Sequence, residues 1–194
     1  MTAYPDSWDE LALVGIKRER DTNEVQFAGI IEDITGFDIG EKDIEGRALL
    51  NGGRAVRRIP MTDGELTLKL IPVGVALDGT GVLQHFHPQA VDDTDDPYAV
   101  FNTQLRQKHR IVIVWSTVLP ATAEAVGVAG EPTQRVTISN AWLTTAPISF
   151  DDKSHTIEAT FKWAPFTKSG TANVKFESGT AVPVVTATPT DASA

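Results

Sequence analysis

The chain of 194 residues contains no cysteine. Disulfides, thiolate metal ligands and cysteine nucleophiles are therefore excluded, while the redox compartment is left open. Basic residues are scarce, 17 Lys and Arg against 26 Asp and Glu, for a net charge of −9. A surface built to grip nucleic acid clusters Lys and Arg, so that class is disfavoured. A surface past which a polyanion slides is compatible, because like charge prevents sticking. No apolar run approaches the roughly 18–20 residues of a membrane helix, so no membrane insertion is expected. Met1 to Glu10 is polar and acidic, without the basic and apolar regions of a Sec-type signal peptide.

Catalytic signatures are also missing. There is no Walker pattern, no Gly-x-Gly-x-x-Gly between a strand and a helix, and no Gly-x-Ser-x-Gly. His85 and His87, two apart, would share one side of a strand and could hold a transition metal. No third ligand at a defined spacing accompanies them, and they are read as loop or interface histidines ahead of Pro88. Asp92 to Asp96 lacks the glycine and terminal glutamate of a calcium loop, and is read as a solvated acidic cap for a following helix. Glu32-Asp33 and Asp151-Asp152 are adjacent pairs, which on a strand point to opposite faces. The expectation is a protein that is not an enzyme, with no cofactor and no metal.

What is present is period-two alternation, the mark of strands with one buried face. From His155 to Trp163, residues Ile157, Ala159, Phe161 and Trp163 oppose Thr156, Glu158, Thr160 and Lys162. Leu66, Leu68 and Leu70 oppose Glu65, Thr67 and Lys69. In Arg135–Leu143, Val136, Ile138 and Trp142 oppose Thr137, Ser139 and Leu143. Arg110–Val118 is apolar on both faces and reads as a central strand covered on each side. Leu11–Arg18, Val25–Asp33, Gly53–Ile59 and Asn173–Glu177 are further strands. Asn51-Gly52-Gly53 and Asp63-Gly64 read as tight turns, the latter a type I′ turn joining Arg54–Ile59 to Glu65–Ile71. Asp95-Asp96-Pro97 opens one helix, Tyr98 to His109, which ends in basic residues. Pro120–Pro132 is a long loop. One β domain is expected over residues 1–177, with 1–10 an N-terminal arm. Residues 178–194, rich in Thr, Ala and Pro, form an extended or flexible C-terminal segment.

Glu32 to Glu45 carries six acids against one Lys, interleaved with Ile34, Phe37, Ile39 and Ile44. It reads either as a solvated hairpin or as an interface segment. The order of segments resembles a known family. VQFAGIIEDI from Val25, then GFDIGEKDIEGRALLNGGRAVRRIP, TDGELTLKLIPVG and TTAPISFDDKSHTIEATFKWAPFTKSGTANVKFES are together similar to the major tail tube proteins of tailed viruses. The resemblance spans roughly Leu11 to Glu177.

That resemblance implies a mainly β, ring-forming tail-tube fold: a β-sandwich or small barrel with one flanking α-helix. Six copies would form a homo-hexameric ring, and rings would stack into a tube in a virion tail assembled in the host cytoplasm. Partners would be the tape measure, tail terminator and baseplate or tip proteins, with double-stranded DNA in transient passage. Glu32, Asp33, Asp38, Glu41 and Asp43 are the implied lumen-facing residues of the conduit. Loops such as Asp38–Gly53 and Pro120–Pro132 would carry ring-to-ring contacts. The inner tube of a contractile injection system, which passes protein, shares this implied architecture. Two other classes compete: a carbohydrate-binding β-sandwich stacking sugars on Trp115, Trp142 and Trp163, and a hydrolase with an unrecognised carboxylate or histidine pair. The three tryptophans share strand faces with Ile and Phe and read as core.

Overall fold

The computed structural model describes residues 11–19, 25–26, 31–40, 44–48, 54–58, 62–71, 86, 108–151, 154–180, 182–187 and 189. Eleven strands are present: β1 (Leu11–Arg18), β2 (Val25–Gln26), β3 (Ile31–Asp38), β4 (Ile44–Ala48), β5 (Arg54–Arg58), β6 (Gly64–Leu70), β7 (Lys108–Ser116), β8 (Thr133–Thr145), β9 (Ile148–Asp151), β10 (Ser154–Trp163) and β11 (Val174–Gly179). The protein is mainly β, and among the described residues helix is confined to Phe86. Nine strands form one antiparallel sheet in the order β2-β1-β7-β8-β10-β6-β3, with β11 joined to β8 and β9 to β10. β4 and β5 form a separate hairpin.

Alternation builds the core where one face is buried. Leu66, Leu68 and Leu70 on β6 are fully buried, as are Ile157, Ala159 and Phe161 on β10, with Trp163 at 1% exposure. These pack in one cluster with Val14 and Ile16 of β1, Ile111 and Ile113 of β7, and Val136 and Ile138 of β8. The sheet therefore curls until its two halves share a core. Each fully buried aliphatic side chain contributes about 1.5–3 kcal/mol. β7 is also buried on its other face, where Val112 and Val114 pack with Leu13 and Ala123. The expectation of a central strand covered on both sides holds.

The corner of the sheet lies in β8. Its first half runs between β7 and β11, its second half beside β10. Ile111 faces Ile138 while His109 faces Ala141, so β8 carries one extra residue across this step. Such a bulge moves every later side chain to the opposite face. The alternation read in Arg135–Leu143 is corrected accordingly: Ala141 and Leu143 join the core, and Trp142 is 38% exposed beneath the Lys108 ammonium, 5.3 Å from its ring. Buried Asn173 ties down the bulge. It accepts from Asn140 at 2.8 Å, donates to the Ala164 carbonyl at 2.7 Å, and its carbonyl takes the Ser139 amide at 2.8 Å.

Other expectations shift for local reasons. Lys108 and His109 open β7 rather than ending a helix; both are buried in the ladder, and the His109 ring meets Phe161 at 5.4 Å. Tyr98 to Gln107 lies outside the described residues. Asp63-Gly64 does not turn β5 into β6, because β5 pairs with β4 while β6 pairs with β3 and β10. Gly64 has no positive φ. A Cβ there would collide with the Trp163 indole and stand 2.7 Å from the Asp38 carbonyl. The β4–β5 hairpin is present as read, with Ala48 opposite Arg54, though its Asn51–Gly53 turn lies outside the described residues.

Residues 182–187 lie along the outer face of the β1–β7–β8 layer. Val182 is buried and Val185 packs on the Leu13–Val112–Val114 cluster. The segment exchanges backbone bonds with the 117–132 loop: Gly127 donates to Val182 at 3.0 Å, and Val185 donates to Glu124 at 2.8 Å.

Candidate assembly surface

β3 ends the strand order, and among the described residues it pairs with no strand beyond β6. Two register shifts interrupt its ladder, one between Ile31 and Asp33 and one between Thr35 and Asp38. Bulges and charge are ordinary devices for blunting an exposed edge. Of the five sequence-selected acids, Glu32, Asp33 and Asp38 fall on this strand. Asp38 is exposed, and its carboxylate accepts the Gly40 amide at 2.8 Å, closing a tight turn with Gly40 at φ 88°. Glu41 and Asp43 lie outside the described residues, as do His85, His87 and Asp92–Asp96.

The neighbouring strands add residues that sequence reading passed over. Asp33 is in register with Lys69, and Asp38 with Glu65, which pairs at 2.8 Å with Lys162 of β10. Thr67 and Thr160 share a hydroxyl bond of 3.0 Å between β6 and β10. The outward face of β6 and β10 is thus polar and mixed in sign. The signal was the polar half of each alternating strand, which becomes one surface only once β6 and β10 are known to be neighbours.

Beside this edge is a groove of about 580 Å³ lined by Phe37, Trp115, Gln134, Val136, Phe176 and Ser178, among others. It separates β3 from β11. Phe37 meets Phe176 edge-on at 6.0 Å, and Phe176 is 60% exposed. Arg135 and Glu177 also reach the groove but are committed to each other at 2.8 Å. Burial raises the Glu177 pKa, and hydrogen bonds from Lys175 and Arg135 more than offset it, holding the carboxyl below its usual value. Among the described residues, no group of three or more His, Asp or Glu is placed to hold a metal. Trp163 is sealed in the core and unavailable for sugar stacking.

No family model matches the sequence. No curated protein matches it either. Three solved structures are similar at low identity. One belongs to the anti-feeding prophage baseplate, 13% identical with a TM-score of 0.48, covering 93% of this chain and 99% of that one. Another belongs to the anti-feeding prophage cap, which terminates the tube, at 14% identity and a TM-score of 0.47, covering 92% and 94%. A third is from the sheath and tube terminator of an extracellular contractile injection system, PVC, at 16% identity and a TM-score of 0.44, covering 91% and 99%.

Proposed function

We propose that the chain is a structural subunit that self-assembles into stacked hexameric rings, forming the tube of a virus tail through which double-stranded DNA passes. The observation that carries this reading is a pair of incomplete surfaces. Among the described residues, a curled sheet ends at an acidic edge strand, β3, and the β4–β5 hairpin joins no other strand. An isolated two-stranded hairpin is marginal in water, and an unpaired edge is a template for another chain. Both features are accounted for when neighbouring subunits complete them. The acids of Glu32–Glu45, at or near the lumen, would keep a polyanion mobile. The tape measure, terminator and baseplate or tip proteins are the partners this role requires.

Negative-stain microscopy of the purified protein tests the proposal. Rings or tubes with six-fold end views are expected. A monodisperse monomer at all concentrations and salts, or one that binds glycans, would overturn it.

A further inference from the structure

The hairpin and the edge strand carry opposite charge. β3 holds Glu32, Asp33 and Asp38 with no basic residue, a charge of minus three. β4 and β5 together hold Arg47, Arg54, Arg57 and Arg58 against Glu45, a charge of plus three. In a chain whose net charge is −9, this concentration of arginine on one short hairpin is a local inversion of sign. Both elements lack a strand partner on at least one side among the described residues. We propose that the β4–β5 hairpin of one copy docks against the β3 edge of a second copy of this chain, matched by charge.

The matching also sets the symmetry of the contact. Two copies meeting β3 to β3 oppose acid to acid, and two hairpins meeting oppose arginine to arginine. Like charges juxtaposed across an interface are strongly disfavoured. Only the unlike pairing, hairpin to edge, is neutral. That pairing is heterologous, using two different patches on each copy, and a heterologous contact repeats into a closed ring or an open filament rather than stopping at a dimer. The bulges and acids of β3 deter generic strand addition while admitting a partner of matched charge, so attraction and exclusion reside in the same residues. The exposed Phe37 and Phe176 beside this edge supply apolar area next to the charged seam.

This inference rests on the self-assembly reading and names the surfaces that carry it. Two variants test it, one with Arg54, Arg57 and Arg58 changed to Glu, the other with Glu32, Asp33 and Asp38 changed to Lys. Circular dichroism checks that each is folded, and sedimentation with negative-stain microscopy reads assembly. Each variant alone is expected to need a roughly hundredfold higher concentration to assemble than the parent chain, because both its surfaces then carry one sign. An equimolar mixture should recover assembly, since each hairpin again meets an opposite edge, and added salt should weaken that recovery. If either variant alone assembles like the parent, or the mixture fails to recover, the docking proposal falls while the tube reading stands. A parent chain that never assembles overturns both.

Discussion

A glycine between an aspartate and a strand invites the reading of a turn, yet Gly64 is itself the first residue of β6, in register with Trp163. The indole occupies the space a Cβ would need, and Phe37 lies on the same ring system at 6.0 Å. Trp163 cannot retreat, because it is 1% exposed and packed in the main cluster. Gly64→Ala is expected to cost about 1–3 kcal/mol, the range for overpacking a filled core. Urea denaturation checks it, and a compensating Trp163→Phe change should return part of the loss. Glu177 makes a second prediction at this scale. Its carboxyl is held below the usual carboxylate value, so its stabilising contribution is complete above the ordinary carboxylate range and is lost as pH falls through the depressed pKa. Glu177→Gln should remove that acid sensitivity. It should also destabilise the protein at neutral pH by roughly 3 kcal/mol, because Arg135 stays buried without its counter-charge.

At the scale of elements, β6 and β10 were legible because each buries one face without interruption, so alternation and burial coincide. β8 was legible only up to Ile138. Its bulge is a matter of pairing with β7, with no local composition to mark it, and so Trp142 and Leu143 exchanged places. The charge of Lys108 and His109 matches a helix end; the Trp142 and Phe161 rings that accommodate them in β7 come from distant strands. The docking of residues 182–187 was equally hidden, since its anchors are arginines elsewhere in the chain. Arg110 donates to the Ala187 carbonyl at 2.7 Å and pairs with Glu124, and Arg135 donates to the carbonyls of Pro183 and, at 3.0 Å, Ala125. Deleting residues 182–194 removes buried Val182 and two acceptors of charged donors. The expected loss is about 4 kcal/mol, combining one buried aliphatic side chain with hydrogen bonds to charged groups. Thermal unfolding should register it as a fall of roughly 10 °C.

For the whole molecule, the acids of β3 have two proposed uses, charge in a DNA conduit and attraction for a neighbour's hairpin. A strand at the edge of a sheet that lines a channel can serve both, and simple charge reversal cannot separate them, because a tube that fails to form conducts nothing. The doubly exchanged chain separates them. With Lys at positions 32, 33 and 38 and Glu at 54, 57 and 58, hairpin and edge are again opposite in sign, so assembly is expected to return. Any part of β3 exposed to the channel is then basic. If lumen charge keeps DNA moving, particles carrying the exchanged tube should assemble yet release DNA slowly after triggering, through phosphate contacts that added salt weakens. Release at the parental rate from a fully assembled exchanged tube would assign the β3 acids to subunit contact alone. The lumen role would then fall to other residues, with Glu41 and Asp43 the next to reverse.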